Sequence, residues 1–373
     1  MSALAALLRN AGASIEATDD FEAINELYGE RGWSDGLPIV PPTAERVERM
    51  LAYCDRPWDQ PVATIAPRHG AATPLRLAAN AVMAGCRPDY FPLVVLAIET
   101  LCVEKFNLYG IQATTHPCAP LIIINGPVAK ELGINSGHNA FGSGTRSNAA
   151  IGRAVRLALL NIGGAIPGLG DMSTFGSPAK YSYCIAENEA ASPWEPLHVE
   201  RGFPADASTV TVIGAECPHN VNDHESITAE GILTTIAGTM TTTGSNDVLC
   251  WDQAEPLVVL GPEHAATVAG GGYSKADAKR FLFEHAQLPL SRFAERNVER
   301  ILRKRYPDRF AGTAVDSLVP LAQSADKLIV IVLGGAGKHS AFIPTFGLTS
   351  SVTRALKLND GRLAQSVKEF RRA

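Results

Sequence analysis

Along most of the chain, segments with the periodicity of an amphipathic helix alternate with short, continuous apolar runs. Helical periodicity falls at 73–84, 148–161, 227–239 and 275–286, and the apolar runs fall at 120–127, 208–220, 256–262 and 326–340. Continuous apolar runs of this length are typical of strands that are buried on both faces. Because the two patterns alternate, we predict an α/β fold with mostly buried strands and sheets that are at least partly parallel.

The order of these elements repeats, which indicates an internal duplication. PLIIINGP at 120–127 and PLVVLGP at 256–262 both place Gly-Pro after an apolar run, and a later strand in each half runs into a glycine turn. Aligning Gly214 with Gly334 sets His219 opposite His339. We therefore expect two similar α/β halves, at 61–224 and 225–373, whose glycine turns face a common cleft.

The first 60 residues are predicted to form a helical N-terminal extension, at 1–60. Helical periodicity at 20–31 ends in GWSDGLPIVPPT, where Gly36, Pro38 and Pro41 favour an extended or turning backbone. Thr43 can cap a second amphipathic helix at 44–53, because its hydroxyl accepts a hydrogen bond from a free backbone N–H. The pattern therefore predicts two helices joined by a rigid strap.

Composition and charge exclude several classes of partner. The chain has 33 Lys and Arg against 38 Asp and Glu, with basic residues clustered only at 303–305, so we expect no nucleic-acid binding. No run approaches the ~18 apolar residues of a membrane-spanning helix, and the apolar start is interrupted too early by Arg9 for a signal peptide. Seven cysteines without regular spacing are typical of free thiols. We expect a cytoplasmic protein that binds no membrane.

The densest cluster of reactive side chains is AECPHNVNDH, residues 215–224, which directly follows an apolar run. One interpretation is a thiol nucleophile, Cys217, with a histidine base, or a divalent transition-metal ion held by His219, Asp223, His224 and Glu187. The other is a loop whose Asn and Asp side chains bond their own backbone. Charged segments such as 180–203, which contains Glu187, are mostly solvated faces or ion pairs. The sequence contains neither HExxH nor paired CxxC spacing. It therefore identifies no cofactor other than the divalent transition-metal ion considered above.

Further candidates flank the apolar runs of both halves. In ATTHPCAP, residues 113–120, a histidine can hold a nearby thiol as thiolate, although a buried thiol acting as a small hydrophobe is the alternative. GGAGKHS, residues 334–340, fails as a Walker sequence but remains a glycine turn that suits an anion or a proton transfer. The predicted catalytic residues are His219, His339, Cys217, His116, Cys118 and Lys338.

A stretch rich in Gly, Ser and Asn, residues 134–154, leads into a predicted helix. Backbone N–H groups at such a helix start bind anions, and Arg153 adds positive charge there. We expect the stretch to cradle a substrate carboxylate or phosphate, and a flexible capping loop is the alternative. The predicted substrate-binding residues are Asn135, Ser136, His138, Asn139, Arg146 and Asn148.

Six distinctive strings lie between residues 20 and 350: GWSDGLPIVPPTAERV, MAGCRPDYFPLVVLAIE, QATTHPCAPLIIINGP, KYSYCIAENE, SPWEPLHVERGF and PHNVNDH. In these strings the sequence resembles a bacterial family whose members are encoded beside, or fused to, the small UGSC-motif (seleno)protein family. The resemblance implies a redox-active selenocysteine or cysteine in the small companion, with this chain as the large catalytic partner. The chain has no UGSC or CGSC string, so the redox motif itself does not carry over.

Three functional hypotheses follow. The first is a small-molecule enzyme with a His/Cys site at the junction of the two halves, which performs thiol- or selenol-linked redox or addition–elimination chemistry on an anionic substrate with a UGSC-type companion. The second is a metal-dependent hydrolase or lyase with His, Asp and Glu ligands. The third is a non-catalytic binding subunit. A homo-oligomer is compatible with each. Elemental analysis for a bound metal distinguishes the second hypothesis from the others. Turnover by the isolated chain distinguishes the two enzyme hypotheses from the third.

Overall fold

The computed structural model describes residues 6–8, 14–249 and 251–372, with the side chain of residue 251 excepted. Most of the N-terminal segment that bears on the signal-peptide prediction therefore lies outside the described residues. The strands are β1 (Ala63–Ile65), β2 (Gly70–Ala72), β3 (Ala119–Asn125), β4 (Cys184–Ala186), β5 (Thr209–Ala215), β6 (His219–Asn222), β7 (Leu257–Leu260), β8 (Gln287–Pro289), β9 (Leu318–Pro320), β10 (Ile329–Val332), β11 (His339–Ile343) and β12 (Val352–Ala355).

The helices account for a larger share of the chain. They are α1 (Phe21–Glu30), α2 (Ala44–Leu51), α3 (Pro74–Met83), α4 (Phe91–Leu101), α5 (Leu108–Ala113), α6 (Pro127–Glu131), α7 (Arg146–Asn161), α8 (Leu197–Glu200), α9 (Ala229–Met240), α10 (Asn246–Leu249), α11 (Pro262–Gly270), α12 (Lys275–His285), α13 (Glu295–Asn297) and α14 (Pro307–Phe310). A π-helical turn spans Val298–Arg303, and 3₁₀ turns span Pro88–Tyr90, Glu104–Phe106, Pro178–Lys180, Trp251–Gln253, Leu290–Arg292, Ala325–Lys327 and Val367–Phe370. Across the described ranges, no helix is both long and apolar enough to cross a membrane.

The helices predicted from periodicity are confirmed, with ends that differ by a few residues. Thr43 caps α2 by accepting a hydrogen bond from the Arg46 N–H, and Thr73 caps α3 in the same way. Two predicted strands each divide in two: 208–220 becomes β5 and β6, and 326–340 becomes β10 and β11. Helix α4 does not follow from periodicity, because all of its residues are buried and it therefore lacks an amphipathic pattern.

Two four-stranded sheets face each other, and helices cover their outer faces. The first sheet has the order β12–β5–β3–β4 and the second has the order β10–β7–β11–β6. In β3, Ile122 packs in one cluster with α3, α4 and α7, whereas Leu121 packs in a core shared with the second sheet. In β7, Val258 packs with α9, α11 and α12, whereas Leu257 belongs to the shared core. The central strands are therefore buried on both faces, as predicted.

Both sheets have the same pattern of strand directions. In the first sheet, β3 is parallel to β4 and antiparallel to β5, and β5 is antiparallel to β12. In the second sheet, β7 is parallel to β10 and antiparallel to β11, and β11 is antiparallel to β6. The last strand of each half is exchanged, because β6 follows β5 but joins the second sheet, and β12 follows β11 but joins the first. The two halves thus share one topology, in which β3, β4 and β5 correspond to β7, β10 and β11.

The predicted alignment of Gly214 with Gly334 is wrong. Gly214 lies in β5, which is antiparallel to β3, whereas Gly334 follows β10, which is parallel to β7. The counterpart of β5 is β11, and an antiparallel bridge joins Ala215, at the end of β5, to Thr345, two residues beyond the end of β11. His219 and His339 therefore do not occupy equivalent positions. Short apolar strands followed by glycine look alike in sequence whatever their direction, which is why the alignment fails.

Two corresponding glycines make the turns that follow β3 and β7. A Cβ atom on Gly126 would lie 2.3 Å from the Ala207 carbonyl oxygen, and one on Gly261 would lie 2.2 Å from the His339 carbonyl oxygen. In each half, that carbonyl belongs to the chain where it enters the next antiparallel strand. A side chain at either position would force the two segments apart.

The strap of the N-terminal extension is held against the first half. Asp35 accepts hydrogen bonds from the Arg153 Nε at 2.7 Å and Nη2 at 2.8 Å, and the Val40 N–H donates to the Met83 carbonyl. The sequence pattern predicts that Arg153 adds charge to an anion cradle. Instead, its guanidinium joins α7 to the strap.

Candidate functional site

A histidine and a glutamate meet at one end of the first sheet. His116 lies in the turn before β3, and Glu216 follows β5; because Ala119 pairs with Ala215 across these antiparallel strands, their flanking turns lie side by side. The His116 Nε2 is 2.6 Å from the Glu216 Oε1. A carboxylate at this distance holds the proton on Nε2 and leaves Nδ1 as the basic nitrogen. Nδ1 is buried and has no hydrogen-bond partner among the described residues.

Both halves contribute to this site. The Glu216 N–H donates to the Pro344 carbonyl oxygen at 2.9 Å, and the ring of Phe346 lies 5.4 Å from the His116 ring between centroids. Pro344 and Phe346 both follow β11, whereas the dyad of His116 and Glu216 comes from the first half. The Tyr183 hydroxyl donates to the Glu216 carbonyl oxygen at 2.9 Å. The site therefore lies at the junction of the two halves, beside the Ala215–Thr345 bridge.

Two predicted cysteines flank the dyad in different environments. Cys118 is completely buried, and burial raises its pKa to about 12, so it stays a neutral thiol at physiological pH. Cys217 follows Glu216 and is half-buried. Burial is the main cause of the raised pKa of Tyr183, and the nearby Cys217 adds to it. Cys118 is therefore a packing residue, whereas Cys217 is the accessible thiol beside the dyad.

A buried ion-pair network supports the wall of the site and does not follow from any sequence motif. The Lys180 Nζ contacts both oxygens of Asp171, at 2.7 and 2.6 Å, and the Arg156 Nη2 lies 3.5 Å from the Asp171 Oδ2. The segment between Asp171 and Lys180 also reaches the dyad turn, since the Thr174 N–H donates to the Thr115 carbonyl at 3.0 Å. The network fixes this segment between α7 and the turn that carries His116.

A second cluster joins three of the predicted residues at the edge of the second sheet. The Nε2 atoms of His224 and His339 are 3.3 Å apart, and the His339 Nδ1 lies 3.0 Å from the Asn220 Oδ1. The Lys338 Nζ donates to the His224 carbonyl oxygen at 2.7 Å. Both imidazoles are exposed. The structure thus brings Lys338, His339 and His224 together, away from the dyad.

His219 does not join this cluster. It begins the edge strand β6 rather than lying in a loop, and it pairs with Phe342, whereas His339 pairs with Asn222. Three register steps separate the two histidines, about 10 Å along the strands, and an odd number of steps places their side chains on opposite faces of the sheet. The expectation that His219 and His339 share one site is therefore wrong.

The four predicted metal ligands do not converge either. The Asp223 carboxylate accepts hydrogen bonds from the Thr235 hydroxyl at 2.6 Å and the Ser226 N–H at 2.9 Å, while Glu187 follows β4 in the other sheet. Within the part of the chain that is described, no three or more His, Cys, Asp or Glu side chains are placed to hold a metal ion. The neighbour of His224 is His339, which is not among the predicted metal ligands.

The stretch expected to cradle an anion is a loop fixed by its own hydrogen bonds. The Asn148 side chain accepts from the Asn135 N–H at 2.7 Å and donates to the Asn135 carbonyl at 2.9 Å. The Asn135 Nδ2 donates to the His138 carbonyl at 2.9 Å, and the Asn139 Nδ2 donates to the Ser143 carbonyl at 2.7 Å. These amide groups are therefore engaged in holding the backbone of the loop itself.

The same loop touches the glycine turn of the other half. The Gly334 N–H donates to the Ser136 carbonyl at 2.9 Å. A Cβ atom on Gly335 would lie 2.1 Å from the His138 Nδ1, so the imidazole covers this glycine. Arg146 points elsewhere: its Nε and Nη2 donate to the Gly85 carbonyl at 3.0 and 2.9 Å. Of the predicted substrate-binding residues, Ser136 and His138 therefore join the halves, whereas the Arg146 guanidinium is bound to the Gly85 carbonyl.

A buried polar cluster lies at the carboxyl ends of β3 and β4. The Glu187 Oε2 accepts from the Asn125 Nδ2 at 2.7 Å and the Leu197 N–H at 2.8 Å, and the Glu189 Oε1 accepts from the Asn125 Nδ2 at 2.9 Å. Burial raises the pKa of Glu187 to about 7. Buried atoms without a hydrogen-bond partner among the described residues include the Glu187 Oε1, the Asn125 Oδ1 and the His198 Nδ1. The interpretation of this segment as a solvated face is therefore wrong at Glu187, which lies inside the protein.

Three polar clusters are thus arranged around the seam between the sheets. The dyad cluster holds His116, Glu216 and Cys217, the edge cluster holds His224 and His339, and the third holds Glu187. Of these, the dyad combines an oriented imidazole with a partly exposed carboxylate and contributions from both halves. Comparison of the sequence with protein-family models and with curated proteins gives no match.

Proposed function

We propose that the protein is a small-molecule enzyme that performs addition–elimination chemistry by general acid–base catalysis at His116. The observation that carries the proposal is the 2.6 Å contact between the His116 Nε2 and the Glu216 Oε1, together with a His116 Nδ1 that has no partner in the described chain. A carboxylate that orients an imidazole and stabilises its protonated form is the arrangement that proton-transfer enzymes use.

The reaction is an elimination and its reverse. Because the His116 Nδ1 is buried, the substrate has to enter the seam beside the imidazole. The Nδ1 then takes a proton from a substrate carbon, and the electron pair of that C–H bond forms a C=C bond as the neighbouring C–O bond breaks. The resulting imidazolium, stabilised by Glu216, returns the proton to the departing oxygen. No oxidant is required. The seam position supports the proposal, because groups from both halves surround the imidazole and limit its contact with water.

A second candidate is a thiol-linked reaction with the UGSC-type companion that the sequence resemblance implies. Cys217 favours it, since this thiol is half-buried and lies beside the dyad rather than inside the core. The described cysteines Cys54, Cys86, Cys102, Cys118, Cys184 and Cys217 are all free thiols, which supports a reducing, cytoplasmic location. Cys217→Ser separates the two candidates, because it removes the thiol and leaves the dyad unchanged.

Deuterium incorporation tests the acid–base proposal with a panel of candidate substrates. The protein is incubated in D₂O with small 2- and 3-hydroxy acids and unsaturated carboxylic acids, and carbon-bound deuterium is measured by NMR. We expect incorporation by the wild type and a loss of ~10²–10⁴-fold in His116→Gln, since that is the typical contribution of a general base. Glu216→Gln should also lose activity.

His219→Ala is the matched control, because His219 is an exposed histidine on the edge strand outside the dyad. It should retain wild-type incorporation. Circular dichroism on each variant verifies that the fold is kept. A wild-type protein that labels none of the panel, or a folded His116→Gln variant that labels as fast as the wild type, would contradict the proposal.

A further inference from the structure

A cavity of about 420 Å³ opens in the seam between the two halves. We propose that this seam cavity binds a small organic molecule through its carboxylate or phosphate groups. Its walls come from α8, β12, α12 and the start of β10, and its cationic side chains are Lys105, Arg201, Lys279 and Lys327. A volume in this range is typical of sites for small ligands. The proposal does not depend on the chemistry of the dyad.

Arg201 provides the central evidence. It directly follows α8, and its Nη1 donates to the Thr353 hydroxyl at 2.8 Å while its Nη2 donates to the Ser351 hydroxyl at 2.7 Å. Both acceptors are neutral, and none of the ion pairs found in the described ranges involves Arg201. Burial lowers the pKa of Arg201, although the charges of Glu255 and Glu200 partly offset this effect. A partly buried guanidinium without a bound carboxylate favours an anion.

Two of the three carboxylates that line the cavity already interact with other groups of the protein. Glu200 contacts both Lys275 and Lys279, so its charge is neutralised within the wall. The Glu255 carboxylate accepts the Ser351 N–H. Asp326, at the exposed rim, is the remaining acidic side chain. With Lys105 and Lys327 at the cavity as well, the cationic side chains outnumber the carboxylates, and the field inside favours an anion.

The geometry also suits a planar or tetrahedral oxyanion. A guanidinium has five N–H donors, and the two hydroxyl bonds leave others for a bidentate contact with a carboxylate or phosphate. Because Ser351 and Thr353 hold the guanidinium in place, little side-chain entropy is lost when the ligand binds. Leu197 and Phe203 line the same cavity and offer apolar contact to the carbon skeleton.

Calorimetry on the full chain tests the site at about 0.15 M salt. Citrate and inorganic pyrophosphate are the probes, since one presents carboxylates and the other phosphates. We expect saturable binding of at least one probe, weakened about tenfold or more in Arg201→Gln, since a hydrogen bond to a charged group contributes this much. Lys327→Ala should weaken binding in the same direction.

Lys130→Ala is the matched control, because Lys130 is an exposed lysine on α6 outside the cavity. It should bind as the wild type does. Melting temperatures of all variants show whether Arg201→Gln loosens β12. The proposal is overturned if neither probe gives saturable binding, or if folded Arg201→Gln and Lys327→Ala both bind with wild-type affinity.

Discussion

Asn188 donates its backbone N–H to the Val332 carbonyl oxygen at 2.8 Å, and its side chain donates to the Gly334 carbonyl at 3.1 Å. These bonds join the ends of β4 and β10, which are corresponding strands of the two halves. Because Asn188 lies between Glu187 and Glu189, they also hold the buried polar cluster at the seam. The junction of the halves is therefore fixed at one end by Asn188 and at the other by the Ala215–Thr345 bridge.

Glu187→Gln should change how stability depends on pH. Burial raises the pKa of Glu187 to about 7, from an ordinary value near 4.5. The native state then keeps a proton that the unfolded chain has already lost, so the stability from this group is full below about pH 4 and is lost as pH rises through 7. Relative to Glu187→Gln, the wild type should lose up to about 3 kcal/mol between pH 4 and pH 8. Urea unfolding at several pH values measures this.

Asp247 offers an independent comparison for this experiment. It is buried, its carboxylate accepts hydrogen bonds from the Thr345 N–H and hydroxyl, and burial raises its pKa to about 7. Glu187→Gln and Asp247→Asn should each remove the part of the pH dependence that comes from the substituted carboxyl group. Parallel pH profiles of the wild type and Glu187→Gln would show that Glu187 titrates normally in the folded protein.

The cysteines beside the dyad should differ in reactivity. At pH 8, a thiol of pKa about 12 is ionised about a thousandfold less than an ordinary thiol, and Cys118 is also fully buried. We expect iodoacetamide to modify Cys217 in the folded protein while Cys118 remains unmodified, as measured by peptide mass spectrometry. Modification of both in urea provides the control. Equal rates for the two in the folded state would contradict the assigned environments.

The contact between His138 and Gly335 should appear as an energetic coupling. Since a Cβ atom on Gly335 would lie 2.1 Å from the His138 ring, Gly335→Ala must displace the imidazole. Because His138 is exposed and its ring can move aside, we expect a destabilisation of only ~0.5–1.5 kcal/mol, the cost of a strained rotamer. In a His138→Ala background, the same change should cost much less, because the ring is absent. Additive effects in this double-mutant cycle, measured by urea unfolding, would rule out the contact.

The local sequence pattern is sufficient to predict the helices and strands of the fold and some of the residues of the site. Helices such as α2 and α12 follow from 3.6-residue periodicity, and strands such as β3 follow from continuous apolar runs, because both signals depend on neighbours in the chain. His116 and Cys217 are recognisable as polar residues next to buried strands. Glu216 stands out in the sequence only as part of a cluster, since its partner His116 is 100 residues away.

Only the tertiary structure decides the strand directions, the exchange of β6 and β12, and the partners of each polar side chain. Those depend on long-range packing that short apolar runs do not encode. A shift of an odd number of residues moves a side chain to the other face of a sheet, so the register separates His219 from His339 and places His339 beside His224. Likewise, the antiparallel pairing of β3 with β5, rather than any local motif, brings His116 to Glu216.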